Sequence, residues 1–252
     1  MLKPFKNVNA TRVQYFRIVL GAVTVAVSTS FGYSQQLLGV SVGVMDFELR
    51  ARKGEGHQIA KFEPSHGAFP TATVFFRDKR LTHFNWCFEA IYSRKEFSAY
   101  YSSGSLAGSK GAEGEVVLDL IHLSILPQVK LGPKGRTSIR FGFMHGVIIK
   151  SYFTGREWNS YPYQWSSREL HAEPAEDFVG DLRFLIGFGV ELPAGEGMVI
   201  TIDPYWSPAV GPLLARQPYS FGQEWGIRLG CGRMMRNRKS STPVKPSTGD
   251  RK

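Results

Sequence analysis

The chain has 252 residues, which bounds it to one or two domains, and it carries a formal net charge of +10. That excess points to a nucleic-acid partner until it is located. Lys3, Lys6, Arg12 and Arg17 lie in residues 1–34 with no acidic residue, and Arg233, Arg236, Arg238, Lys239, Lys245, Arg251 and Lys252 lie in residues 233–252 against Asp250 alone. Residues 35–232 are therefore neutral, no basic patch remains for a folded domain, and nucleic acid is excluded as a partner.

Residues 1–34 read as a secretory signal. A basic start is followed by a short apolar stretch over 18–27, and small residues at Gly32 and Ser34 place cleavage after Ser34. The apolar stretch is shorter than the ~20 residues a spanning helix needs. A domain over 35–235 follows, and residues 236–252 lack apolar periodicity and are expected to be a disordered basic tail.

The domain carries eight strand candidates, at 38–50, 71–77, 83–94, 117–131, 137–150, 181–192, 198–206 and 220–234. Each alternates with the period of two that sends successive side chains to opposite faces. The sixth is the clearest: Leu182, Phe184, Ile186, Phe188, Val190 and Leu192 share one face, and Asp181, Arg183, Leu185, Gly187, Gly189 and Glu191 share the other. No window has a sustained helical period, and Gly and Pro punctuate the gaps. The gaps alternate in length. Those at 78–82, 132–136 and 193–197 are short; those at 51–70, 95–116, 151–180 and 207–219 are long. Short periplasmic turns, longer extracellular loops and an even strand number are the pattern of an outer-membrane barrel. The expected fold is all-β: an eight-stranded antiparallel up-and-down transmembrane β-barrel.

Volume decides which face is the lumen. An eight-stranded barrel is only wide enough to be filled by side chains and could not hold about thirty large residues such as Phe84, Trp86, Phe88, Phe141, Phe143, Phe184, Phe188 and Trp225. Those residues are expected to face lipid. The other face is rich in glycine, which leaves room for an inward network of Glu89, Lys130, Arg140, Arg183, Glu191, Asp203, Glu224 and Arg228, with both signs present to pair. Trp86, Tyr92, Tyr205, Trp206 and Trp225 lie near strand ends and fit interfacial girdles. Cys87 and Cys231 fall on unrelated faces and are expected to be free thiols.

The runs EAIYSRK (Glu89 to Lys95), LIHLSILPQVKL (Leu120 to Leu131), DLRFLIGFGVEL (Asp181 to Leu192) and ITIDPYW (Ile200 to Trp206) resemble, in that order, strand motifs of the Bacteroidetes outer-membrane β-barrel family that includes PorT-like proteins. The resemblance covers most of 36–234 and implies an outer-membrane barrel of about eight strands, one class of which is linked to protein secretion. Two departures stand out. The last strand ends on Arg233-Met234-Met235 followed by a basic tail, where such barrels end on an aromatic residue, and Pro127 sits one residue from its usual place.

No strong catalytic motif is present. The six histidines show no HExxH spacing, no cysteine stands at metal-ligand spacing to them, and there is no GxSxG elbow or phosphate loop. No cofactor or metal is expected. His122 and Ser124 share the lumen face with Glu89, so a lipid-modifying barrel enzyme is one alternative. A soluble ligand-binding barrel is another. The long gap 151–180 holds Trp158, Tyr161, Tyr163 and Trp165, aromatics suited to stacking on sugars or anchoring a protein partner. The Gly/Ser-rich gap 95–116 is expected to be a mobile loop. The leading expectation is a monomeric, non-enzymatic outer-membrane barrel with a structural or accessory role, contacting membrane lipid and, through its long loops, an envelope protein.

Overall fold

A computed structural model describes residues 36–51, 58–64, 68–79, 83–105, 108–132, 135–161, 164–174, 181–211 and 219–235. The signal reading of 1–34 and the tail reading of 236–252 lie outside them. Ten strands follow in order: β1 (Gln36–Ala51), β2 (Gln58–Pro64), β3 (Phe69–Asp78), β4 (Phe84–Ser105), β5 (Gly108–Leu131), β6 (Thr137–Tyr161), β7 (Gln164–Pro174), β8 (Asp181–Pro193), β9 (Met198–Gly211) and β10 (Tyr219–Met235). Eight of them close on themselves in the cyclic order β1-β3-β4-β5-β6-β8-β9-β10, every neighbouring pair antiparallel. These eight are the strands that alternation marks in the sequence. Closure leaves no edge in the wall, so every stretch of backbone within it can find a partner without water.

The alternation maps onto inside and outside. On β8, Asp181, Arg183, Leu185, Gly187, Gly189 and Glu191 are buried, while Ile186, Phe188 and Leu192 are exposed. From Leu182 to Leu192 the outward row spans about 33 Å of strand, or about 25 Å of barrel height at the usual tilt, which is the height of a lipid-facing belt. The ladder is interrupted opposite two prolines. Pairing of β5 with β6 skips from Ile125↔Phe143 to Gln128↔Arg140 around Pro127, and pairing of β8 with β9 skips from Gly187↔Tyr205 to Val190↔Ile202 around Pro204. Proline has no N–H to give the neighbouring strand. At Gly43 the wall needs a missing side chain for a different reason: a Cβ there would lie 2.3 Å from the Ile227 carbonyl oxygen of β10.

Three expectations are corrected. The gap 95–116 is not a loop, because β4 and β5 stay paired to Ser105↔Gly108. Gly and Ser give this stretch little apolar contrast, so its backbone ladder leaves no alternation to read. The gaps 51–70 and 151–180 contain β2 and β7, which pair with β4 and β6 where the wall strands β3 and β8 have ended. Finally, Tyr205 is no girdle residue. It is buried in the lumen, its ring covering Gly226 of β10 and lying 4.8 Å from the Arg228 guanidinium.

The strands β4, β5 and β6 are 22, 24 and 25 residues long, far more than a bilayer crossing needs. With β2 and β7 at its edges, their upper part forms a five-stranded sheet, β2-β4-β5-β6-β7, that projects beyond the belt on the extracellular side.

Candidate functional site: the lumen and the projecting sheet

The periplasmic half of the lumen holds a chain of ion pairs in which the sign alternates at every step. Lys79 pairs with Glu191, and Glu191 accepts from Arg77 Nη1 at 3.0 Å. Arg77 Nη2 reaches Asp203 Oδ2 at 2.8 Å, and Asp203 Oδ1 meets Arg140 Nη2 at 2.8 Å. Arg140 Nη1 donates to Glu89 Oε1 at 2.5 Å, and Glu89 Oε2 accepts from Arg228 Nη1 at 2.9 Å. Each carboxylate is thus shared by two cations, which come from different strands for Asp203 and Glu89 and from the end of β3 for Glu191. In a low-dielectric interior a lone charge is prohibitive, and a shared one is tolerable because each pair offsets the desolvation of its neighbours. Glycines supply the room: a Cβ on Gly189 would crowd Asp203 and Ser138, and one on Gly43 would crowd the Arg228 side chain.

Halfway up, a second group closes into a ring. Asp181 pairs with Arg183, Arg183 Nη2 lies 3.2 Å from Glu224, Glu224 pairs with Lys95, and Lys95 Nζ lies 3.7 Å from Asp181. Above the ring the lumen turns apolar. Met45, Phe47, Phe69, Phe97, Val116 and Leu118 are each 3% exposed or less and form the upper part of one cluster, which continues down among the charges through Ile91, Tyr205, Leu185, Leu126 and Cys87; the Phe47 and Phe69 rings are 4.8 Å apart. Lys95 joins the levels, its ammonium 5.4 Å from the Phe47 ring.

The residues read from sequence fall as follows. Glu89, Arg140, Glu191, Asp203 and Arg228 stand in the lower chain, and Arg183 and Glu224 in the ring. Lys130 sits half-buried near the periplasmic rim and makes no ion pair among the described residues. Four members were missed: Arg77, Lys79, Lys95 and Asp181. The alternation contained three of them, since Arg77 extends the Thr71-Thr73 face, Lys95 the Glu89 face and Asp181 the Arg183 face. The apolar plug was missed entirely.

Ser124 stands opposite Glu89, and His122 opposite Ile91, on adjacent strands. Glu89 is held by Arg140 and Arg228, and the carboxylate nearest His122 is Asp181, 3.7 Å from its Nε2. His122 and Ser124 are 1% and 3% exposed.

On the projecting sheet, Trp158 and Trp165 share the outer face, because Trp158 pairs with Ser167 and Ser160 with Trp165. Trp158 packs on Tyr100 of β4 with ring centroids 5.6 Å apart. Tyr161 lies on the opposite face, and Tyr163 lies outside the described residues. Cys87 is a free thiol within the lumen and Cys231 a free thiol on the outer wall.

No protein-family model matches the chain, and no curated protein matches its sequence. Among solved structures it is similar to Ail, the attachment invasion locus protein of Yersinia pestis, at 11% identity and a TM-score of 0.40 over 80% of this chain and 99% of that one. It is also similar to the outer-membrane protein OprG of Pseudomonas aeruginosa, at 9% identity and a TM-score of 0.42 over 81% and 97% of the two chains. The outer-membrane protein AlkL, solved in lipid bilayers, is 8% identical with a TM-score of 0.36 over 81% and 92%. The deciding observation lies in this chain's own wall. Arg77, Arg140, Arg183 and Lys95 are 0% exposed, whereas Val42, Phe143 and Leu229 are 67%, 60% and 56% exposed.

The protein is an outer-membrane β-barrel. A side-chain distribution inverted in this way is stable only where the outside is lipid, since an arginine on the lipid face costs about 2–4 kcal/mol at mid-bilayer. Phe84 and Trp86 mark the periplasmic boundary of the belt, and Tyr92 and the neighbouring rings of Trp206 and Trp225 the extracellular one. Within the belt an apolar groove of about 620 Å³, lined by Val44, Ile186, Phe188, Pro204, Trp225 and Ile227 among others, opens toward lipid.

Proposed function

We propose that this barrel is a non-enzymatic, structural or accessory component of the outer membrane, belonging with the PorT-like barrels of Bacteroidetes, and that it works through its projecting sheet rather than its lumen. The observation that carries the reading is the packing of the lumen at two successive levels. The alternating charges fill its lower half and the plug around Phe47, Phe97 and Leu118 fills the upper, with these side chains 9% exposed or less. A filled lumen offers neither a water path nor space for a substrate. The surface left for a partner is the face of β4 to β7 above the membrane.

Reconstitution into planar bilayers tests this: the protein inserts and no stepwise conductance follows. Steady channels of tens of picosiemens or more would overturn it. A second reading, a lipid-modifying enzyme, is favoured by the closeness of His122 to Asp181. Under the leading reading His122→Ala leaves envelope lipid composition unchanged; an altered acylation pattern would establish the enzyme. The secretion link of the PorT-like class is tested by deleting the gene and following surface delivery of secreted proteins, which is expected to fall.

A further inference from the structure

The outer wall along β4, β5 and β6 changes chemistry in a fixed order with height. In the belt it is apolar, with Ile125 and Phe143 exposed. At the extracellular boundary it becomes basic and phenolic. Tyr92 Oη donates to Asp119 Oδ1 at 2.9 Å, Arg94 Nε donates to the same oxygen at 3.0 Å, and Lys150 stands opposite Asp119 on β6. The bulge opposite Asp119 and Leu120 turns both Ile149 and Lys150 outward, re-aiming one side chain that strict alternation would bury. The Lys150 ammonium lies 4.7 Å from the Tyr152 ring and makes no ion pair among the described residues. Higher still, the same face carries Tyr100, Trp158 and Trp165, the last 63% exposed, with the Glu113–Arg156 pair in register with Tyr100. Tyr100 is eight residues beyond Tyr92, about 20 Å above it along the barrel axis at the usual rise and tilt.

This sequence of chemistries matches one kind of molecule. We infer that the stripe from Ile125 and Phe143 through Lys150 to Trp158 and Trp165 binds a phosphorylated glycolipid of the outer leaflet: acyl chains on the belt, phosphate at Lys150, saccharide on the Trp158–Trp165 face. Two observations select that occupant. The aromatic face is continuous with the lipid-contacting wall, so whatever covers it is held at the membrane surface. Among the described residues Lys150 makes no ion pair, the Asp119 carboxylate opposite it being taken by Arg94 and Tyr92, and it stands at the depth where an anionic headgroup lies, whereas Arg156 higher up pairs with Glu113. A sugar ring presents C–H groups that an indole face accepts, and its hydroxyls meet the serines of the sheet, Ser98, Ser160 and Ser167, on the same face. The inference rests on the outer-membrane reading and on the projecting sheet being the working surface.

The test uses the full-length protein in detergent and two probes: a purified lipopolysaccharide retaining its core saccharide, and the same lipid stripped of sugars. Wild type is expected to bind the sugar-bearing lipid about tenfold more tightly. The double variant Trp158→Ala, Trp165→Ala loses that preference and keeps its affinity for the stripped lipid. Lys150→Ala weakens both lipids by about fivefold. Trp158→Phe, which keeps a stacking face, retains most of the preference. Equal affinity of wild type for both lipids overturns the inference. So does a double variant that still discriminates, or a free core oligosaccharide that binds as tightly as the lipid carrying it. Heat-modifiable migration and recovery in the membrane fraction are read in parallel for every variant. Their loss would indict the barrel assignment instead of the lipid site.

Discussion

The two halves of the lumen solve the same packing problem with opposite materials. Below, an alternating chain of seven charged side chains from Lys79 to Arg228 fills the barrel, with Cys87, Leu126, Leu185 and Tyr205 packed around it; above, a cluster around Phe47, Phe97 and Leu118 fills it as an ordinary apolar core. The lower half is directional and unforgiving, because each carboxylate serves two cations and its removal leaves both uncompensated. The upper half is non-directional, and its loss on truncation is set by the cavity left behind. The difference explains why the glycines cluster opposite the charges. Arginine needs length and lateral space, and Gly43 and Gly189 provide it beside Arg228 and Asp203.

Four substitutions grade that contrast. Glu89→Ala strands Arg140 and Arg228 together and is expected to cost about 3–5 kcal/mol, read as a fall in the urea midpoint of the detergent-solubilised barrel. A loss near zero would mean that water, not Glu89, satisfies the two guanidiniums. Leu118→Ala removes a plug residue that is 0% exposed and should cost about 3 kcal/mol in the same assay, without opening a conducting path, because the charge chain still blocks the lumen. Gly43→Ala drives a methyl against the Ile227 carbonyl and should cost about 2 kcal/mol as the β1–β10 seam is pushed apart. Arg156→Ala breaks a 3.0 Å pair between side chains about half exposed, and should change stability by less than about 0.5 kcal/mol, with a difference that disappears in high salt. If Arg156→Ala rivalled Glu89→Ala, the distinction between lumen and surface pairs would fail.

The readability of the site from sequence follows the same division. Glu89, Arg140 and Arg228 could be placed inside because their strands alternate cleanly; for Arg140 and Arg228 the neighbours on the same face are also glycine or serine. Phe47 and Phe97 could not. They lie on the lumen face at a height where the outer neighbours are already Asp46, Glu48 and Glu96, so the apolar side switches from the outer face to the inner one. β2 and β7 were hidden for a related reason. Above the membrane both faces of a strand meet water or another polar surface, and the contrast that marks a strand in the belt fades. Tyr205 was assigned by its neighbourhood of aromatics when its parity with Thr201 and Asp203 already pointed it inward.

Eight wall strands, the face each presents to lipid and the end of the barrel at which the turns are short can all be read from the residues alone. These are local properties, set by alternation within a strand and by the length of each gap. Tertiary structure alone decided which charges meet. Arg228 finds Glu89 across 139 residues and Arg77 finds Asp203 across 126, partnerships fixed by strand register and by closure of β1 against β10. It also decided that β4, β5 and β6 continue past the membrane as one sheet. The reason is physical: a strand's faces are written in its own residues, but its depth and its partners depend on how the ring closes.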